Sequence, residues 1–87
     1  DDFTFHGNYP NPFNPSTTFS FDLIRDAQVK LVLYNVLGQQ VATLLDKPLQ
    51  VGIHQVAFDA NTLPSGVYFA RLSTPHQQNT RKIILLK

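Results

Sequence analysis

Apolar and polar side chains alternate in short segments along most of the chain. The clearest segment begins at Thr17 and ends at Leu23, and the side chains that share one of its faces are Thr17, Phe19, Phe21 and Leu23. The positions between them are polar, at Thr18, Ser20 and Asp22. A period of two is typical of a strand that buries one face, so we predict a strand here.

Later segments have the same alternation or apolar content, and they are residues 28–35, 39–45, 52–59, 67–74 and 80–87. In the first of these, one face carries Val29, Leu31 and Leu33. The opposite face carries Val32 and Tyr34, so this strand is predicted to be buried on both sides.

Turn residues separate the segments. Asn35–Gly38 predicts a tight turn, because Asn suits its first position and Gly supplies the left-handed conformation. Asp46–Pro48 predicts a break after the strand 39–45, whose shared face is expected to contain Val41, Thr43 and Leu45. Asp59–Gly66 predicts a loop with one short helical turn, and Pro75–Asn79 predicts a polar turn. A spacing of about 8–12 residues is typical of an all-β sandwich or barrel.

The segment Asn8–Thr17 contains three of the six prolines, Pro10, Pro12 and Pro15. Proline fixes φ and lacks a backbone donor, so this segment is predicted to be neither a helix nor a central strand. We expect a stiff, extended strap that enters the domain, with Tyr9 and Phe13 as its apolar contacts. Three asparagines of the strap are expected to bond their own backbone and so replace the ladder bonds that proline forbids, namely Asn8, Asn11 and Asn14.

The stretch from Leu63 to Tyr68 predicts a tyrosine corner. Pro64 and Gly66 suit a turn, and Tyr68 follows early in the next strand. A tyrosine in this place can donate its hydroxyl proton to a backbone carbonyl of the preceding loop. The expected role of Tyr68 is therefore to fix one end of the sandwich.

Composition narrows the functional classes. A chain of 87 residues forms one domain, and its net charge of +1 argues against nucleic acid as a partner. The absence of Cys excludes disulfides and thiol catalysis. The absence of Met, even at position 1, predicts a domain cut from a larger protein. The longest apolar run, Ile83–Leu86, is too short to span a membrane.

No motif predicts chemistry. The three histidines lie in separate elements without metal-site spacing, at His6, His54 and His76. The aspartates lack calcium-loop spacing, no serine lies in a nucleophile elbow, and no phosphate-binding loop is present. We therefore expect no enzyme activity, no metal and no cofactor.

Two features have more than one interpretation. The run Arg81–Lys87 is either a buried last strand with basic residues that oppose edge pairing, or a terminal address read by a receptor. Three aromatic rings, those of Tyr9, Phe13 and Tyr34, are either core residues or a platform that binds sugar.

Four short motifs follow one another in an order that resembles a known family. They are Tyr9–Pro12, Gly38–Val41, Leu63–Tyr68 and Lys82–Lys87. The set is similar to the type A C-terminal sorting domain of the type IX secretion system, over most of residues 8–87. The sequences around Asn14–Thr17 and Tyr34–Gly38 also resemble the immunoglobulin-like domain of flagellar hook-capping proteins.

The alternating segments predict six strands, or seven if Asp1–Gly7 is an edge strand. The resemblance implies that these six to seven strands form an immunoglobulin-like antiparallel β-sandwich. Residues 8–87 would form a C-terminal sorting domain, and residues 1–7 a linker or an edge strand from an upstream domain. The implied partners are the outer-membrane secretion machinery, an upstream catalytic or adhesive domain of the same chain, and surface lipopolysaccharide. The implied location is the surface or exterior of a Gram-negative bacterium, reached through the periplasm. The implied recognition residues are Pro10, Asn11, Pro12, Gly38, Gly66, Tyr68, Lys82 and Lys87.

Two other functional classes stay open at this point. A carbohydrate-binding or adhesive module would use the aromatic rings as its platform. A flagellar-type assembly domain would follow from the second resemblance.

Overall fold

The computed structural model describes all of residues 1–87, and its regular structure consists of strands. The seven strands are β1 (Phe3–Tyr9), β2 (Ser16–Leu23), β3 (Ala27–Tyr34), β4 (Gln40–Leu49), β5 (Gly52–Asp59), β6 (Gly66–Thr74) and β7 (Gln77–Leu85). The all-β prediction is confirmed, and the strand count is the upper value of the predicted range. No helix of a length and apolarity suited to crossing a membrane is present.

The strands form two antiparallel sheets that enclose one core. The three-stranded sheet has the order β1-β2-β5, and the four-stranded sheet has the order β4-β3-β6-β7. The largest fully buried side chains come from both sheets and include Phe19, Phe21, Leu31, Leu72 and Ile83. Burial of these apolar faces supplies the main driving force for folding. The predicted immunoglobulin-like sandwich is confirmed.

The alternation in β2 and β3 has the predicted consequence. The four side chains Thr17, Phe19, Phe21 and Leu23 are buried, and the residues between them are partly exposed. In β3, Val32 is also buried although it faces away from the core, so this strand is covered on both sides as predicted.

Strand β4 corrects two predictions. It continues to Leu49 through Asp46–Pro48, where a break was expected. Because β4 is an edge strand, one of its sides carries no ladder, and proline is tolerated there. Two register shifts against β3 interrupt the alternation, so Thr43 is exposed while neighbouring Ala42 and Leu44 pack against the core. The predicted shared face of Val41, Thr43 and Leu45 is therefore wrong.

Strand β7 corrects a third prediction, because it begins at Gln77 and not at Thr80. Thr74 pairs with Gln77, so the turn contains only Pro75 and His76 instead of Pro75–Asn79. The polar residues Gln77–Asn79 join the sheet because ladder bonds use the backbone and not the side chain. The loop 60–65 contains a single turn bond, from Leu63 N to Ala60 O at 3.0 Å, and no helix.

The N-terminal segment is integrated into the fold. Strand β1 is the edge of the three-stranded sheet, and the side chain of Gln77 bonds both the backbone N and the backbone O of Phe3. Asp2 is buried, accepts a hydrogen bond from Thr74 and lies 3.3 Å from Arg25. The assignment of residues 1–7 to an upstream domain stays a prediction.

The two chain ends lie at opposite poles of a molecule whose longest extent is 36 Å. One pole, here called the N-terminal pole, contains Asp2, the β2–β3 connection and the β6–β7 turn. The other contains the segment 10–15, the β3–β4 turn 35–39, the loop 60–65 and the chain end 86–87. We call it the motif pole, because all four resemblance motifs reach it.

Candidate functional site

The proline strap pairs with the last strand at the motif pole. Outside regular strands it comprises residues 10–15, which is shorter than predicted because β1 extends to Tyr9 and β2 begins at Ser16. Phe13 N donates to Ile84 O, and Leu86 N donates to Phe13 O, each at 2.9 Å. Phe13 and Leu85 thus form a parallel bridge. The strap therefore covers the free edge of β7 near the chain end.

Asn11 extends this pairing with its side chain. Its Nδ2 donates to Lys82 O at 3.3 Å, and its Oδ1 accepts from Ile84 N at 3.1 Å. A side-chain amide thus takes the place of a neighbouring strand. The prediction that the strap asparagines bond their own backbone holds for Asn8, whose Nδ2 donates to Pro10 O, and is wrong for Asn11, which bonds β7. The flanking Pro10 and Pro12 have no backbone donor and cannot make such bonds themselves.

The two aromatic residues of the strap have different environments. Phe13 is 2% exposed and belongs to the core, as predicted. Tyr9 is 84% exposed, so its predicted role as an apolar contact of the strap is wrong. Tyr9 pairs with Thr18 in the alternation of β1 and β2, which turns its ring to the outer face of the sheet. Pro10 O accepts hydrogen bonds from Asn8 Nδ2 and Thr17 Oγ1, and these bonds fix the start of the strap.

The predicted tyrosine corner is confirmed. Tyr68 is buried, and its hydroxyl donates to Pro64 O at 2.6 Å. Gly66, the first residue of β6, pairs with Leu85 next to the chain end. The corner therefore holds the loop 60–65 beside the last residues of β7.

This loop in turn holds the chain end. Lys87 N donates to Ser65 Oγ at 3.0 Å, and Lys87 Nζ donates to Asn61 O at 2.6 Å. Asn61 is itself fixed, because its backbone N donates to Asp59 Oδ1. Sequence reasoning did not identify Asn61 and Ser65 as partners of Lys87, since both lie more than twenty residues away from it in the chain.

Gly38 lies in the β3–β4 turn at the same pole. The turn is organised by Asn35, whose Oδ1 accepts from Leu37 N and Gln39 N at 3.0 Å each. Gly38 has φ of +80° and its N donates to Asn35 O, so the predicted tight turn is confirmed. The turn lies against the loop 63–68, with which it shares a cavity of about 290 Å³.

The sequence-predicted residues thus share one end of the molecule but fall into two groups. Five of them lie in or next to the terminal half of β7, namely Asn11, Gly66, Tyr68, Lys82 and Lys87. Pro10 and Pro12 flank Asn11 and are exposed. Gly38 lies apart from them in the β3–β4 turn, whose residues Asn35 and Val36 line the shared cavity. Their role in recognition stays a prediction, since their positions alone do not test it.

Residues considered for other chemistry lie apart. His6 lies 3.0 Å from Asp22 on the three-stranded sheet, His54 bonds Gln50 O, and His76 is in the β6–β7 turn. No group of three or more metal-ligating side chains comes together.

The aromatic platform is not assembled. Phe13 is buried, Tyr9 lies on the outer face of the three-stranded sheet, and Tyr34 lies on the four-stranded sheet. Because a sugar platform needs accessible rings side by side, these three residues do not form one.

Comparison with known proteins agrees with the geometry. The sequence model of the family described as Secretion system C-terminal sorting domain matches residues 8–86. No curated protein matches the chain significantly. We call the pairing of the strap with residues 82–86 the clamp. The family match covers both segments of the clamp, together with the tyrosine corner, and nothing in it favours a sugar-binding or flagellar role. The chain therefore belongs to the secretion system C-terminal sorting domain family, and it is a C-terminal sorting signal for type IX secretion.

Proposed function

We propose that the secretion machinery at the outer membrane recognises the motif pole as a folded surface, and not the last residues as a linear tail. The observation that carries the proposal is the clamp between Asn11, Phe13 and residues 82–86. It joins parts of the chain that are more than seventy residues apart. A receptor that binds this pole contacts both parts at once only when the domain is folded.

The predicted residues divide by exposure into contacts and supports. Pro10, Pro12, Lys82 and Lys87 are exposed and are the proposed contacts. Tyr68 is buried and acts through the loop that it fixes, so it is a positioning residue. Large exposed apolar side chains lie at or next to the same pole, namely Tyr9, Val36, Leu37 and Leu86. Exposed apolar groups beside charged ones are typical of a protein-binding surface.

The arrangement of the chain ends supports the proposed partners. The N-terminal segment is fixed at the pole opposite to the motif pole. A larger protein joined there, catalytic or adhesive, would leave the motif pole accessible to the machinery. Passage through the periplasm of a Gram-negative cell and attachment to surface lipopolysaccharide complete the proposal, and they rest on the family resemblance alone.

The test is a fusion of residues 1–87 to the C-terminus of a reporter that carries an export signal, in a host with this secretion system. We expect the reporter outside the cell, and we expect removal of residues 81–87 to retain it in the periplasm. Unchanged export of the truncated fusion would overturn the proposal.

Because the truncation also removes half of a strand, a milder variant separates recognition from folding. The double variant Lys82→Gln, Lys87→Gln keeps every strand and lowers the charge of the motif pole by two. The matched control Lys30→Gln, Lys47→Gln makes the same charge change at exposed lysines elsewhere. We expect reduced export only for the first pair, with both variants folded by circular dichroism. Equal export by both pairs would contradict a role for the lysines.

A further inference from the structure

Arg71 is a cation without a partner on the outer face of the four-stranded sheet. It donates no hydrogen bond and forms no ion pair, and its buried Nε is the only buried side-chain polar atom of the chain without a partner. The guanidinium carbon lies 4.8 Å from the centroid of the Tyr34 ring. A cation–π contact offsets part of the desolvation of a guanidinium but satisfies none of its donors.

The residue lines a cavity of about 350 Å³. The walls are the rings of Tyr34 and Phe69 together with the β3–β4 turn, which includes Gly38, and Thr80 of β7 completes the lining. Lys82 pairs with Phe69 in the ladder and is exposed on the same face, one row from Arg71. The cavity therefore combines aromatic walls, one guanidinium and a neighbouring ammonium group.

No acidic side chain of the chain is available to this cavity. None of the six aspartates lines it. Asp1 lies at the opposite, N-terminal pole, and the other five have partners elsewhere, in the pairs Asp2–Arg25, Asp22–His6, Asp26–Val51, Asp46–Gln28 and Asp59–Asn61. A carboxylate from another molecule would give this guanidinium the ion pair that the chain itself does not provide, and its planar shape matches the donors of a guanidinium.

We propose that this cavity binds an acidic peptide segment, with an Asp or Glu carboxylate on Arg71 and flanking apolar atoms on Tyr34 and Phe69. The cavity favours a peptide over a sugar because its lining has few free polar groups for hydroxyls: the Asn35 amide is already bonded within its own turn. The proposal also relates two of the predicted recognition residues to one site, because Gly38 lines this cavity and Lys82 lies next to it. That the peptide belongs to the secretion machinery rests on the proposed function, whereas peptide binding itself does not.

The probe is a hexaglutamate peptide, with hexaglutamine as the uncharged control. Titration into the isotope-labelled full chain is followed by NMR, in which the Arg71 Nε–H signal reports directly on the guanidinium. We expect saturable shifts of that signal and of amides in the turn 35–38, retained at about 0.15 M salt where nonspecific surface attraction is screened. An unchanged Nε–H signal, or equal shifts with hexaglutamine, would overturn the proposal.

Two variants make the test residue-specific. Arg71→Gln is expected to weaken hexaglutamate binding about tenfold or more, because it removes a charge-assisted bidentate contact. Lys47→Gln on the edge strand β4 makes the same charge change and is expected to bind like the original chain. Equal weakening by both variants would overturn the site. Shifts with an oligogalacturonate but not with hexaglutamate would overturn the choice of a peptide.

The outcome is separable from that of the sorting experiment. If Arg71→Gln does not fold, the Nε–H titration of the unaltered chain still decides the proposal. If the chain does not bind the peptide but export is intact, only the proposed role of this cavity is wrong. If export survives the loss of residues 81–87, the proposed recognition of the motif pole is wrong.

Discussion

Replacement of Asn11 by alanine tests the clamp at its most specific contact. The change deletes the hydrogen bonds to Lys82 O and from Ile84 N and leaves the backbone bonds of Phe13 in place. Asn14→Ala is a matched control, because Asn14 is an exposed asparagine of the same strap whose side chain makes no hydrogen bond. The two variants differ only in whether the amide holds the last strand.

The expected loss follows from the number and the setting of these bonds. Each intramolecular hydrogen bond contributes about 0.5–1.5 kcal/mol net, and both of these are exposed to water, so we expect a loss of about 1–2 kcal/mol. A chain of 87 residues has a total stability of roughly 4–13 kcal/mol, so the loss is a measurable fraction. At an m-value of about 1.5 kcal/mol/M, the urea midpoint falls by about 0.7–1.3 M.

Urea denaturation followed by circular dichroism measures the global effect, and hydrogen exchange locates it. The Ile84 amide loses its acceptor in the Asn11 variant, so it should exchange faster than in the control. Amides in the middle of β3 should change only by the global loss of stability. Equal midpoints for the Asn11 and Asn14 variants, together with unaltered exchange at Ile84, would refute the clamp.

Three further substitutions probe other supports of the motif pole. Tyr68→Phe leaves Pro64 O without its donor and should cost about 1–2 kcal/mol in urea denaturation, whereas Tyr9→Phe on the surface should cost under about 0.5 kcal/mol. Gly38→Ala must adopt φ of +80°, so we expect about 1–2 kcal/mol and a local change of the amide spectrum. Phe13→Ala empties a core position and should lower the free energy of unfolding by about 3–5 kcal/mol by the same assay.

Local sequence patterns are sufficient to predict those features whose structure is determined by residues close together in the chain. The alternation in β2 predicts its buried face because each side chain meets the same core. The turn at Asn35–Gly38 and the corner at Tyr68 depend on contacts within about five residues. These features could therefore be read without knowledge of the sheet order.

The wrong predictions concern features that depend on strand partners. The proline in β4 argues against a strand by composition, yet it is tolerated because β4 lies at a sheet edge. The polar start of β7 also argues against a strand, yet it pairs with β6 because ladder bonds use only the backbone. The bulges that turn Thr43 outward come from the register against β3. None of these partners could be identified from a single sequence.

The cavity at Arg71 was missed for the same reason. It depends on three neighbouring strands, β3, β6 and β7, and β3 lies beside β6 in the sheet although β4 and β5 separate them in the chain. One sequence signal was present: Arg71 is a charged residue inside an apolar strand, at a position where alternation places it on the outer face. An isolated charge of this kind does not reveal that an aromatic ring lies beneath it.

The clamp links the order of the motifs to the fold. Phe13 and Leu85 are bridged in parallel, and parallel neighbours require a long connection between them, so the two partners must come from distant parts of the chain. The first and last motifs are therefore adjacent only in the folded chain. A receptor that bound the terminal residues alone would not depend on Asn11, whereas one that bound the motif pole would depend on it, because Asn11 holds Pro10 and Pro12 beside Lys82. Export of the Asn11→Ala fusion, measured below its melting temperature, therefore distinguishes a linear signal from a folded one: normal export favours the tail, and retention of a folded fusion in the periplasm favours the motif pole.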